Sequence, residues 1–323
     1  MNPTPLITVE AFYSIIGLVF AFIAVRLVRD RTHGKRWGSA LFWGLLAVTY
    51  LFGKVLPPLV VGYLVLAMVA LAAARQVARS EERGPTRAER LASAERLRNK
   101  LFWPALLVPA VAVVGTLLLD RVHAGRFWLI EPKQVTLISL GLGALIAIGV
   151  AMRTTGARVT VPVQEGGRLL QAIGWALILP QMLAALGGIF AKAGVGPVVA
   201  DLVAQALPTQ FPFVAVAAYC LGMAVFTMCM GNAFAAFAVI TGGIGLPLIV
   251  QQHHGNVAIM AGIGMLAGYC GTLMTPMAAN FNIVPAMLLD LRDKNAVVKA
   301  QVPIGLTILA ANILIMYFAV YRF

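Results

Sequence analysis

Charge is what this chain has least of. Charged residues make up 11% of its 323 positions, against roughly 25% in soluble domains, and only 12 of them are acidic. The scarcity is uneven: residues 202–289 contain no Asp, Glu, Lys or Arg at all. A soluble globular domain is excluded, and so is a relay of carboxylates within that stretch. Cysteine is also rare. Cys220, Cys229 and Cys270 lie in apolar runs without CxxC spacing, which leaves redox or thiolate-metal chemistry without a motif. No HExxH, no GxSxG and no paired carboxylates occur in the apolar runs. Catalysis needs a titratable or nucleophilic group with an activating partner, so an enzyme is not expected.

What is present is hydrophobic length. Sixty per cent of the residues are apolar, and runs of about 18–20 residues recur along the chain, close to the ~20 a helix needs to cross a bilayer core. The composition therefore predicts an all-α polytopic membrane protein. About eight transmembrane helices are expected, plus one re-entrant helical hairpin over 213–250 and a broken helix over 257–289. Two parts are expected: an N-terminal three-helix segment, 1–100, with a polar connector at 75–100, and a transport-type membrane domain, 101–323.

The net charge of +13 would suggest nucleic acid in a soluble protein. Here its distribution argues instead for topology, and no nucleic acid is expected. Nineteen of the 25 basic residues fall in the segments 26–36, 75–100, 153–168 and 292–299. The positive-inside rule places these four in the cytoplasm and the N-terminus outside. No basic residue precedes Arg26, so the first apolar run reads as a retained anchor rather than a cleaved signal. The expected location is a bacterial cytoplasmic (inner) membrane. Helical spacing in the second half of 75–100 predicts a short surface helix, and the spacing of Val198, Val199, Leu202 and Val203 predicts an amphipathic helix on the outer surface.

Within the uncharged stretch the helices are interrupted twice. The first interruption is Met230-Gly231-Asn232, and the second is TLMTPMAANFN, Thr272 to Asn282, with Thr275-Pro276 at its centre. Irregular backbone at membrane depth survives only where it is buried in protein or lines a wet cavity. Both breaks are therefore candidate binding elements. A helix that stops exposes carbonyls, and one that restarts exposes amides; restarts are expected near Ala233 and Ala278. Neutral donors and acceptors from Thr227, Asn232, Thr241, Thr272, Thr275, Asn280 and Asn282 suit a small polar anion. Carbonyls near Cys229, Met230, Leu273 and Met274 suit Na⁺ as a coupling ion. Asn282 can equally cap the restarted helix, and Thr227 and Thr241 can bond their own backbone. Gln181 and Asn312 are weaker candidates, and His253-His254 is expected in an outer loop.

These elements resemble one half of the ion-transporter superfamily of elevator-type carriers. In those carriers a re-entrant hairpin with an Asn at its tip precedes a helix broken at Thr-Pro followed by Asn. Here the tip reads Gly231-Asn232-Ala233 and the break Thr275-Pro276-Met277-Ala278-Ala279-Asn280; both tip hydroxyls of the superfamily pattern are missing. More narrowly, ILPQMLAALGGIFAKAGVG (178–196), MGNAFAAFAVITGGIGLP (230–247) and GTLMTPMAANFNIVPAML (271–288) resemble a bacterial family of membrane proteins. That family is identified as one subunit of a two-subunit 5-oxoproline (pyroglutamate) transporter. The resemblance implies roles for Asn232, Thr275, Pro276 and Asn280, and with the breaks as read above the expected substrate or ion site is Thr227, Gly231, Asn232, Thr272, Thr275, Pro276, Asn280 and Asn282. It also implies a second, shorter membrane subunit supplying the complementary half, a small carboxylate as substrate, and no cofactor beyond a coupling Na⁺. Two other functions compete: a membrane-embedded enzyme, and a structural or assembly subunit of a membrane complex.

Overall fold

The computed structural model describes residues 4–80, 86–119, 122–124, 127–279, 281–289 and 291–322. It is almost entirely helical and divides into two compact units, 1–174 and 175–323. Among the described residues, six helical runs are long and apolar enough to cross a membrane: 9–29, 88–118, 132–155, 212–230, 233–252 and 296–320. Two further apolar helices, Pro58–Ala73 and Val257–Leu273, are shorter. The protein is an all-α polytopic membrane protein.

In the first unit the helices are α1 (Val9–Arg29), α2 (Arg36–Phe52), α3 (Pro58–Ala73), α4 (Arg87–Leu97), α5 (Phe102–Leu118), α6 (Val135–Thr155) and α7 (Thr160–Ile173). They pack in pairs. Against α2, α1 sets Phe20 beside Trp43, ring centroids 5.5 Å apart, and beside Tyr50 at 5.2 Å. Against α6, α5 is held so close that a side chain on Gly115 would strike the Ser139 hydroxyl. In lipid, burial of apolar surface gives no drive for one helix to meet another, so close packing of small residues carries the association. The expected surface helix is α4. It starts at a capping box in which Thr86 and Glu89 satisfy each other's backbone N–H.

One element had no sequence expectation. Strands β1 (Thr4–Ile7), β2 (His123–Ala124) and β3 (Phe127–Ile130) form a small sheet in the order β1-β3-β2, with β1 parallel and β2 antiparallel to β3. Phe127-Trp128, an aromatic pair in a charged stretch of sequence, thus belongs to a strand. Ile130 seats on Val135 and Ile138 at the start of α6.

The second unit holds α8 (Leu179–Lys192), α9 (Val195–Ala206), α10 (Pro212–Met230), α11 (Ala233–Ile240), α12 (Val257–Leu273), α13 (Ile283–Leu288) and α14 (Ala296–Val320). The expected amphipathic helix is α9, and it packs against the neighbouring helices: a side chain on Gly243 would meet the Gly196 backbone. Beyond α11 the chain widens into a π-helical segment, Thr241–Gln252. Gly242, Gly243, Gly245 and Pro247 all fall in it, and such residues weaken the ordinary i→i+4 ladder. The core of this unit is Tyr219, Met223, Met260, Ala267 and Met316, each at 0% exposure.

Candidate functional site

Both interruptions read from the sequence are real breaks in the backbone. The first forms because Gly231 takes a left-handed conformation, φ +67°, that a side chain would strain, and its N–H closes α10 on the Thr227 carbonyl at 2.7 Å. Asn232 then starts α11. Its Oδ1 accepts the Phe234 N–H at 2.9 Å, so Asn232 acts locally as an N-cap.

The second break separates α12, which ends at Leu273, from α13, which begins at Ile283. The restart is therefore five residues later than Ala278, the position expected from Pro276. Pro285 explains the shift: a proline is accommodated in the first turn of a helix, where its missing N–H has no partner anyway. The amides at this restart belong to a helix of only six residues, which makes its macrodipole short. Ala278 and Ala279, each 2% exposed, lie in the irregular stretch.

Two side chains hold the breaks together. Thr275 Oγ1 donates to the Met228 carbonyl at 2.9 Å and accepts the Met277 N–H at 3.2 Å, so one hydroxyl ties the second break to the last turn of α10. Asn282 Nδ2 donates to the Thr272 carbonyl at 2.8 Å and to the Thr275 carbonyl at 2.6 Å. Two carbonyl acceptors fix the orientation of the amide, because the flipped form would set oxygen against oxygen. Asn282 thus replaces the backbone bonds that Pro276 and the turn remove.

The same geometry leaves two acceptors over. Asn282 Oδ1 and Thr227 Oγ1 are fully buried and have no hydrogen-bond partner among the described residues. Both belong to segments that the Thr275–Met228 bond joins. A buried polar atom without a partner costs ~1–3 kcal/mol, which is why such atoms mark sites of function or strain. Close backbone approach surrounds them: Gly271 lies against the Ala224 carbonyl, and a side chain on Gly268 would come within 3.4 Å of Thr227 Oγ1.

The remaining predicted residues divide. Thr272 Oγ1 donates to Tyr269 O at 2.7 Å, an ordinary bond back along its own helix. Pro276 is exposed. Asn280 lies outside the described residues. Thr241 is taken by Tyr219, whose hydroxyl lies 2.8 Å from Thr241 Oγ1. Asn312 Nδ2 contacts Cys270 Sγ at 3.6 Å, and Gln181 is exposed. His253 Nε2 donates to the Thr209 carbonyl at 2.8 Å, a tie between two loops. Among the described residues no group of three or more His, Cys, Asp or Glu gathers as metal ligands.

Sequence reasoning overlooked the glycines that let α10 and α12 touch. Gly264, Gly268 and Gly271 recur on α12 at spacings of four and three, a helix-face pattern available for reading. Neither a curated protein nor a solved structure matches the chain. Over residues 10–321 it matches the family described as Protein of unknown function (DUF979), and the chain belongs to that family.

Proposed function

We propose that this chain is one subunit of a secondary transporter for a small carboxylate, with 5-oxoproline as the substrate and Na⁺ as the coupling ion. The observation that carries the reading is the pair of buried, unpartnered oxygens, Thr227 Oγ1 and Asn282 Oδ1, flanking two helix breaks. Neutral oxygen acceptors suit a hard cation and equally the N–H of a lactam. The Asn232-capped start of α11 supplies amides for a carboxylate. In this reading α10 and the arm from Ala233 to Gln252 form a hairpin that enters and leaves from outside, although at 19 and 20 residues each arm has the length of a full span. The N-terminus is outside, the membrane is the bacterial cytoplasmic membrane, and a second, shorter subunit supplies the complementary half of the site.

The deciding experiment is uptake of labelled 5-oxoproline into proteoliposomes, with and without Na⁺, using the chain alone and with a candidate second subunit. Na⁺-stimulated uptake above empty vesicles is expected only with both subunits. Thr227→Val keeps the shape and removes the unpartnered oxygen, so uptake should fall while insertion and thermal stability hold. Uptake at the wild-type level in Thr227→Val would remove that oxygen from the site. Topology is checked with impermeant thiol reagents on inside-out vesicles: Ser93→Cys in α4 should label and Asn232→Cys should not. Equal labelling would mean two full spans.

A structural or assembly role is the second reading, and it too has an observation behind it. Thr275 and Asn282 spend their donors on bonds within the chain. Its mark would be a complex that assembles normally and shows no uptake of any small carboxylate.

A further inference from the structure

A second polar locus lies in the first unit, at the end of α1, and the transport reading makes no use of it. Arg26, Arg29, Asp30, Thr32, Ser80 and Gln171 line a cleft of about 730 Å³. We propose that this cleft binds the phosphodiester headgroup of a phospholipid.

The cleft is built rather than incidental. Asp30 Oδ1 accepts the Thr32 N–H at 3.0 Å and the Thr32 hydroxyl at 2.6 Å, and Oδ2 accepts the Ser80 hydroxyl at 3.0 Å. The Ser80 N–H in turn donates to Gln171 Oε1 at 3.2 Å. Residues from three separate stretches of chain are thereby fixed around one space, and Ser80 and Gln171 are both buried. With its oxygen engaged, Gln171 has its amide nitrogen left as a donor.

Charge then selects the ligand class. Arg29 lines the cleft and is exposed, which sets a permanent cation there for a singly charged phosphodiester. Guanidinium forks match phosphate oxygens in geometry as well as in sign. Three donors turn the Asp30 oxygens toward Thr32 and Ser80, which gives the carboxylate a structural task in holding the cleft together.

Position separates a lipid from free phosphate. The cleft begins where a membrane-length apolar helix, 9–29, ends. Arg26 lies 5.7 Å above the ring of Phe22, and Phe22 and Val25 are exposed on that helix. A charged pocket at the end of a helix that carries exposed apolar side chains suits a phospholipid: headgroup in the pocket, acyl chains along the helix. Inorganic phosphate would satisfy the charge and leave both the apolar face and most of the volume unused.

The test is native mass spectrometry of the delipidated full-length chain in detergent. It is titrated with phosphatidylglycerol, phosphatidylethanolamine, diacylglycerol, glycerol phosphate and inorganic phosphate. A phospholipid adduct is expected, with diacylglycerol and the two chain-free phosphates binding at least tenfold more weakly. Arg29 is exposed, so Arg29→Gln should fold and should lose about tenfold in phospholipid affinity, while Arg153→Gln, exposed in the last turn of α6, changes nothing. Raising salt from ~0.05 to ~0.5 M should weaken binding to the unaltered protein. The proposal is overturned by diacylglycerol binding as tightly as phospholipid, or by either chain-free phosphate doing so, which would assign the cleft to a soluble anion. Binding indifferent to both salt and Arg29→Gln would overturn it too.

Discussion

The two units are both helical and both apolar, yet they bury their helices to very different degrees. In the first unit the membrane-length runs 9–29, 88–118 and 132–155 have 22%, 11% and 28% of their most apolar stretch buried. In the second unit the two arms around Gly231-Asn232 have 50% and 56% buried, while 296–320 has 22%. Composition cannot account for this, since mean hydropathies of these stretches run only from 2.0 to 2.3. What differs is what each helix touches. The first unit packs helix on helix in pairs and leaves long apolar faces for lipid. The second packs α10 and α12 around interrupted backbone, where carbonyls and amides must find partners inside the protein. Interruption and burial are therefore one phenomenon.

The contrast between the two units hangs most on Asn282. Asn282→Ala leaves the carbonyls of Thr272 and Thr275 without their donor, at a cost of ~1–3 kcal/mol each, and should give the largest loss of thermal stability in detergent. A loss no greater than that of an exposed-site control would mean that the break does not depend on this clamp. Next comes Gly271→Val, which forces a side chain against the Ala224 carbonyl. Overpacking of this kind costs ~1–3 kcal/mol, read as a lowered melting temperature and as loosened α10–α12 packing in crosslinking. Gly149→Ala is the contrast in the first unit. Nothing lies within 4 Å of the added carbon, so stability should stay within about 0.5 kcal/mol of wild type.

The smallest effect is expected from acid. Hydrogen bonds from the Thr32 side chain, then from Ser80, hold the Asp30 carboxyl below its ordinary value. A carboxyl depressed by folding contributes its stabilisation above the unfolded value and loses it as pH falls through the folded one. The protection factor of the Ser80 amide, its exchange corrected for the intrinsic pH dependence, should therefore stay flat from neutral pH to the ordinary carboxylate range, about 4, and fall only below it. A fall nearer neutrality would point to a group other than Asp30.

Much of the second unit was legible in the sequence because its signals are local. Gly231 announces a helix stop, Asn232 a helix start, and Thr275-Pro276 a break; each meaning follows from backbone chemistry within a few residues. Membrane-length runs were legible for the same reason, but six reach that length among the described residues against about eight expected. Three things were not legible. Strands of two to four residues carry too few positions for a period-two pattern, so the small sheet around Phe127–Ile130 left no trace. The restart at Ile283 was hidden because Pro285 reads as a breaker unless it is known to sit in a first turn. Hydroxyl partnerships across space, such as Tyr219 with Thr241 or Thr275 with Met228, depend on packing that no neighbouring residue encodes.

The π-helical segment Thr241–Gln252 has a consequence for how this chain can change over time. An α-helix turns 3.6 residues per turn, so deleting one residue rotates everything beyond it by about 100°. In α10 such a deletion would sweep Tyr219 and Met223 out of the core. An i→i+5 stretch already holds residues in excess of the α-helical count, and a deletion there can be absorbed by reverting locally to i→i+4. The arm between Asn232 and His253 is thus a reserve of chain length. Loss of a residue can be taken up within it while the two breaks stay in register.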